Sequence, residues 1–132
     1  GRNGIAVAKR HGGGASQVFD ELVMKGTPIA KDALQIPSMG ALAAKVMENA
    51  DAIGYVSTGM VAQNEGQIAV LTVEGVAPTT ENISSGEYKI ARPLLIFTKE
   101  EPQGHLKFFI DYLLSEDGRQ VVEEMGFIPA AN

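Results

Sequence analysis

The chain has 132 residues, of which 45% are hydrophobic and 20% are charged, a composition typical of one globular domain. Its formal net charge of -5 argues against general nucleic-acid binding, which needs a basic face. No apolar run approaches the roughly 18 residues of a membrane span, and the absence of cysteine excludes disulfides and thiolate chemistry.

Near the start of the chain, a glycine-rich turn lies between a predicted strand and a predicted helix. The apolar run at residues 5–8 predicts a buried strand. Three consecutive glycines occupy residues 12–14, and Phe19, Leu22 and Val23 follow them at helical spacing. Glycine tolerates positive φ and lets a ligand approach the main chain closely. The pattern therefore predicts a turn that leads directly into a helix.

The same turn is a candidate anion site. The first N–H groups of a helix lack intrahelical partners, and the helix dipole adds positive potential at that end. Lys9, Arg10 and His11 stand at its rim. A plain chain reversal is the alternative, because neither G-x-G-x-x-G nor G-x-x-x-x-G-K-[ST] is present.

A second helix is predicted after a loop. A glycine and a proline within residues 25–28 close the first helix, and residues 29–37 are predicted to form a loop. Ser38 is expected to cap the next helix, whose apolar residues between positions 39 and 47 follow the i, i+3, i+4, i+7, i+8 pattern. Residues 49–51 end it.

Three further apolar segments predict strands, at residues 52–57, 68–73 and 90–98. Residues 58–62 are expected to form one helical turn between the first two. Pro93 lies inside the last and longest segment, which indicates an edge strand or a crossover between layers.

Two helices are predicted to close the chain. The first covers residues 103–114; Ser115 caps the second, and Gly126 stops it. The apolar stripe of the first helix consists of Leu106, Phe109, Ile110, Leu113 and Leu114. Strands and helices alternate along the chain, so the pattern predicts an α/β fold.

Catalysis has little support in the sequence. There is no cysteine and no G-x-S-x-G motif, and the two histidines, His11 and His105, lack metal-ligand spacing. The acidic pairs lie where helix ends and solvated faces explain them. We therefore predict no catalytic residue, no metal ligand and no cofactor.

Several stretches, in order and over almost the whole chain, resemble the phosphate-binding proteins of bacterial phosphate ABC transporters. That family is a branch of the type 2 periplasmic-binding-protein fold. The stretches are residues 19–22, 51–57, 73–79, 81–83, 85–88, 92–94, 109–115 and 126–129.

The resemblance implies two α/β lobes with the anion between them, and this chain matches only the later half. It implies one lobe of the type 2 fold plus the closing crossover strand and two C-terminal helices. We expect a single α/β domain over residues 1–132, in which residues 1–89 form the lobe-like part and residues 90–132 form the crossover strand and closing helices. The implied function is periplasmic or extracytoplasmic capture of phosphate and its delivery to an ABC permease, without a chemical step. The opening residues 1–4 do not form the pattern of a signal peptide.

The resemblance also places the site residues. Lys9 falls at the family's basic position, Gly13 at its serine, Gly14 at its glycine and Ala15 at its threonine, and Ser16 follows directly. Losing two hydroxyl donors to a charged ligand predicts a weakened site, with a dissociation constant of about millimolar or more. Restoring both hydroxyls is expected to strengthen binding. The residues predicted to bind phosphate are Lys9, Arg10, Gly13, Gly14, Ala15 and Ser16.

The implied partners are phosphate or a similar small anion, and an ABC permease or a missing N-terminal lobe. The apolar last two helices further predict a homodimer. Two alternatives stay open: a non-catalytic interaction or oligomerisation module derived from such a lobe, and an engineered fragment without activity.

Overall fold

A three-stranded parallel sheet with helices packed around it forms the centre of the computed structural model, which describes residues 4–9 and 12–130. The strands are β1 (Ile5–Lys9), β2 (Leu34–Ile36) and β3 (Ala52–Ile53), in the order β2-β1-β3. In the parallel ladders Val7 is level with Leu34, and Ile5 is level with Ala52. The α/β prediction is confirmed.

Except at residues 80–84, where the sequence pattern predicted no helix, the helices agree with that pattern. They are α1 (Gly14–Val18), continued by a π-helical segment (Phe19–Met24), then α2 (Met39–Glu48), α3 (Thr58–Gln63), α4 (Thr80–Ser84), α5 (Gly104–Leu114) and α6 (Glu116–Glu124). Ser38 and Ser115 cap α2 and α6 as predicted, because each hydroxyl oxygen accepts a main-chain N–H from the first turn. In the part of the chain that the structure describes, no helix has the length and apolar character to cross a membrane.

The core lies where α2 packs on the sheet. Leu42 is 0% exposed, and its neighbour Ala43 is buried with Val7 and Ala8 of β1. Gly54, directly after β3, completes this packing. A Cβ added to Gly54 would lie 2.7 Å from Leu42 Cδ2 and 3.2 Å from the Val7 carbonyl oxygen. The close fit leaves no room for a side chain at residue 54.

Two strand predictions differ from the structure in extent. Residues 29–37 were expected to be loop throughout, but Leu34–Ile36 pairs with β1 as strand β2. Residues 52–57 were expected to form a buried strand, whereas only Ala52–Ile53 pairs, and Ile53 is exposed. Both predictions were wrong in part because strand extent depends on the neighbouring strand and not on the apolar run alone.

Two longer predicted strands are absent. Residues 68–73 form no strand; Val73 makes only an isolated bridge to Val76. Residues 90–98 form no strand either, although they are rich in β-favouring residues. None of the described strands pairs with either segment, and a strand needs a partner to form a ladder. Leu94 and Phe97 are consequently 99% and 84% exposed.

The chain after α6 returns to α3 and anchors the closing helices. A Cβ on Gly59 in α3 would lie 2.6 Å from Phe127 Cζ and 3.0 Å from the Met125 carbonyl oxygen. Gly126, with φ +80, makes the turn that permits this approach. The far side of α5 stays open: Phe108 is 74% exposed, and Leu106 and Phe109 are also exposed.

Candidate functional site

The glycine turn lies under the ammonium group of Lys9. Strand β1 ends at Lys9, and its Nζ donates a hydrogen bond to the Gly12 carbonyl oxygen. A Cβ placed on Gly13 would lie 3.2 Å from Nζ, so the charge sits against the residue that precedes α1. The other rim residues of the prediction, Arg10 and His11, lie outside the described residues.

Gly12 and Gly13 have a conformation that requires glycine. Their φ angles are +113 and +119, a region that other residues enter only with strain. Gly13 has no side chain to cap α1, and no side-chain cap is formed there. A hydroxyl side chain at residue 13, the family's serine position by resemblance, would therefore be strained in this backbone conformation.

The start of α1 presents main-chain donors beside the ammonium. Helix α1 begins at Gly14, so the N–H groups of Gly14, Ala15 and Ser16 belong to the first turn and have no carbonyl partner within the helix. The Gln17 N–H donates to the Gly13 carbonyl oxygen at 3.3 Å. Of the predicted site residues, Gly13 lies against the Lys9 ammonium, and Gly14 and Ala15 follow it in the first turn of α1.

Ser16 has a structural contact in the same turn. Its hydroxyl donates to the Gly13 carbonyl oxygen at 3.0 Å, and the residue is 4% exposed. A serine hydroxyl has one proton to donate. In this conformation the proton is used to hold the turn, and Ser16 can reach an anion only through its main-chain N–H.

Tyr55 is a neighbour of the site that the sequence analysis did not select. The Lys9 N–H donates to the Tyr55 hydroxyl oxygen at 3.1 Å, and that hydroxyl lies 3.5 Å from the Lys9 carbonyl oxygen. The Tyr55 ring stacks on Phe19, with centroids 4.3 Å apart and an interplanar angle of 13°. Tyr55 lies inside the segment 52–57 that the sequence pattern predicted as a strand, and no local signal linked it to Lys9.

Burial raises the pKa of the Tyr55 hydroxyl above the ordinary tyrosine value. The hydrogen bond with the Lys9 main chain opposes this rise, and the negative charge of Asp20 adds to it. Tyr55 therefore stays a neutral hydroxyl at physiological pH, which is the form that can both accept from and donate to the Lys9 main chain.

Arg92 brings a second cation to the flank of α1. Its Nη1 donates to Gln17 Oε1 at 3.2 Å, and Gln17 Nε2 donates to Glu21 Oε1 at 2.7 Å. The contact joins residues 75 positions apart in the chain. The sequence analysis had treated Arg92 only as part of a resemblance, because proximity across such a distance has no local signature.

The apolar cavity beside the turn is a different feature. It has a volume of about 250 Å³ and lies between β1, the end of β3 and the π-helical segment. Phe19, Met24, Ile29 and Ile53 line it together with Tyr55. Such walls suit an apolar side chain and offer little to a charged ligand.

The groups at this turn can bind a ligand by donating hydrogen bonds to it. The glycine turn combines one ammonium with several main-chain N–H groups, a set that complements an oxyanion. Among residues 4–9 and 12–130, no three histidine, aspartate or glutamate side chains cluster as a metal site would require.

The chain is similar to known proteins along most of its length. The family model of the PBP superfamily domain matches residues 5–117. The phosphate-binding protein PstS 2 of Streptococcus agalactiae is 37% identical over 136 aligned positions, which cover 96% of this chain and 45% of the relative. The chain thus spans about half the length of the curated relatives it matches.

Solved structures give the same result. A candidate phosphate ABC transporter substrate-binding protein from Clostridium perfringens, solved with bound phosphate, matches with a TM-score of 0.83 and 29% identity, over 97% of this chain and 52% of that one. An ABC-type phosphate transport receptor from Vibrio cholerae matches with a TM-score of 0.76 and 26% identity, over 96% and 53%. The fold predicted from resemblance, one lobe of a type 2 periplasmic-binding protein, is confirmed.

Proposed function

This chain belongs to the PBP superfamily, and we propose that it is the phosphate-binding lobe of a solute-binding component that serves an ABC permease outside the cytoplasm. The observation that carries the proposal is the position of the Lys9 ammonium against the first turn of α1. The names of the relatives supply the ligand, since they are described as phosphate-binding or phosphate-transport proteins. No chemical step belongs to this function.

Phosphate would meet two kinds of hydrogen-bond donor at this turn. An ammonium carries three protons, and Lys9 uses one of them on the Gly12 carbonyl oxygen. Two remain for an oxyanion. The N–H groups of Gly14 and Ala15 add main-chain donors that need no side-chain ordering, and the N-terminal end of the helix adds favourable potential.

We propose that this site is weaker than a family site that carries both hydroxyls. Gly13 has no side chain, Ala15 offers only a methyl group, and the Ser16 hydroxyl donates to Gly13. A hydrogen bond to a charged group contributes about 1.5–3 kcal/mol. Two missing bonds correspond to a loss of roughly two to four orders of magnitude in affinity. The expected dissociation constant for inorganic phosphate is about millimolar or higher.

Nuclear magnetic resonance titration with inorganic phosphate at low ionic strength tests the proposal. The amide resonances of residues 13–15 should shift with phosphate, and Lys9→Ala should abolish the shift. Lys107→Ala is the matched control, because Lys107 pairs with Asp111 on the exposed face of α5. The proposal is wrong if Lys9→Ala and the parent respond equally. A micromolar dissociation constant would contradict the weakened site alone.

A second proposal concerns residues 90–132, which carry the exposed apolar surface. We infer that, when the chain is alone, this surface is covered by a second copy and the protein is a homodimer. Leu94, Phe97 and Phe108 are among the most exposed apolar side chains. Residues 94–97 also have no ladder partner in the described chain, so the same segment of a second copy can pair with them across a two-fold axis.

Light scattering after size exclusion measures the assembly. A mass near twice the 14.0 kDa of one chain is expected at micromolar concentrations. Phe97→Asp should restore the single-chain mass, whereas Leu71→Asp, an exposed apolar residue outside this surface, should leave the dimer intact. A single-chain mass for the parent protein would refute the dimer. It would point instead to an opposing lobe as the natural cover of this surface.

A further inference from the structure

On the edge of β1 that faces β3, the main chain of Lys9 is hydrogen-bonded to a side chain and not to a strand. The β1–β3 ladder pairs Ile5 with Ala52 and Ala6 with Ile53, and β3 then ends. Lys9 lies three residues beyond the last pair. There the Tyr55 hydroxyl stands in place of a strand partner. It accepts the Lys9 N–H at 3.1 Å and lies 3.5 Å from the Lys9 carbonyl oxygen.

The ring of Tyr55 reaches the other side of the turn. Phe19, on which it stacks at 4.3 Å, is the first residue of the π-helical segment that continues α1. One side chain therefore contacts both structures that flank the glycine turn. These are the strand end that carries the ammonium and the helix whose first turn carries the N–H donors.

We propose that Tyr55 is the positioning residue of the anion site, fixing the Lys9 main chain through its hydroxyl and the helix through its stack on Phe19. The inference rests on the proposed phosphate-binding function. Its physical basis is preorganisation: Gly12, Gly13 and Gly14 have no side chains that could hold the turn, and ordering the turn during binding would reduce affinity. Tyr55 orders the turn before the anion arrives.

Tyr55→Phe is the decisive variant, since it removes the hydroxyl and keeps the ring on Phe19. Without phosphate, the Lys9 amide proton should shift upfield and exchange faster with solvent, because its acceptor is gone. With inorganic phosphate, the dissociation constant should rise about two- to tenfold, the range that one hydrogen bond supports. Tyr112→Phe, on the exposed helix α5, is the matched control and should change neither quantity.

The phosphate-free state separates positioning from direct contact. A positioning role predicts that Tyr55→Phe moves the Lys9 amide resonance before any phosphate is added. Weaker phosphate binding in Tyr55→Phe with an unchanged Lys9 amide would show that the hydroxyl contacts the anion itself and would overturn the inference. A Phe19→Leu variant gives an independent measurement should Tyr55→Phe fold poorly, and it should move the Lys9 amide in the same direction.

The outcomes for the two proposals are distinguishable. Tyr55→Phe binding like the parent, while Lys9→Ala abolishes binding, would overturn only the positioning role. If Lys9→Ala binds phosphate like the parent, the phosphate site is wrong. The Lys9 amide resonance measured without phosphate would then still test the contact with Tyr55. An unchanged Lys9 amide in Tyr55→Phe contradicts the inference in every case.

Discussion

The contact between Gly59 and the C-terminal segment decides whether the last helices are attached to the sheet domain. A methyl group at Gly59 would lie 2.6 Å from Phe127 Cζ and 3.0 Å from the Met125 carbonyl oxygen. The first neighbour is the end of a ring that can swing outward, but the second is backbone. Overpacking of this kind costs about 1–3 kcal/mol. Alanine's better helix propensity recovers roughly 0.5–1 kcal/mol of that cost. The difference between the two effects is a decrease of up to about 2.5 kcal/mol in the free energy of unfolding of Gly59→Ala.

Gly40 provides a matched control within the same chain. Gly40 and Gly59 are each the second residue of a helix whose preceding cap is a serine. A Cβ on Gly40 would have no neighbour within 4 Å. Gly40→Ala should therefore raise the free energy of unfolding by about 0.5–1 kcal/mol. Urea denaturation measures both variants, and limited proteolysis should show the segment after α6 released only in Gly59→Ala.

Equal stabilisation by the two substitutions would refute the reasoning. It would mean that the C-terminal segment does not press on α3, and that the closing helices are free to pack elsewhere, including on a second copy.

Three other predictions follow from contacts in the sheet and the turn. Gly54→Ala should lower the free energy of unfolding by about 1–3 kcal/mol, because the new methyl meets the fully buried Leu42, and urea denaturation measures it. Burial raises the pKa of Tyr55 and Tyr88 in the folded protein. Their contribution to the free energy of unfolding is therefore fully present below the unfolded tyrosine pKa of about 10, and it is lost as the pH rises through the folded pKa. Urea denaturation at increasing alkaline pH should show a smaller stability loss when both are phenylalanine. Ala15→Thr should tighten phosphate binding about tenfold or more by adding one donor at a position free of positive φ, and an unchanged titration would mean the donor does not face the anion.

The backbone conformation at Gly13 changes the expectation that hydroxyls restored at residues 13 and 15 would both strengthen binding. At Gly13 a serine would have to adopt φ near +119, and its Cβ would lie 3.2 Å from Lys9 Nζ. Strain and crowding would therefore accompany the new donor. At Ala15 the helix geometry accepts threonine, so the single change is the clean test.

Local chemistry determined the helices of this protein. Ser38 and Ser115 were read as caps because a hydroxyl before an apolar helical pattern satisfies an orphan N–H, and both accept such bonds in the structure. The glycine turn followed from Gly12 and Gly13, whose positive φ needs no distant partner. Interactions within about one helical turn are encoded in adjacent residues, so the sequence alone sufficed for these two caps and this turn.

The tertiary structure decided the strands and the surroundings of the site. Residues 90–98 have the composition of a strand but no neighbour to pair with, whereas the three residues of β2 become a strand because β1 lies beside them. Tyr55 reaches Lys9 across 46 positions, and Arg92 reaches Gln17 across 75. A ladder hydrogen bond or a side-chain contact of this range forms only once the chain has folded, because both partners must be brought together from distant positions.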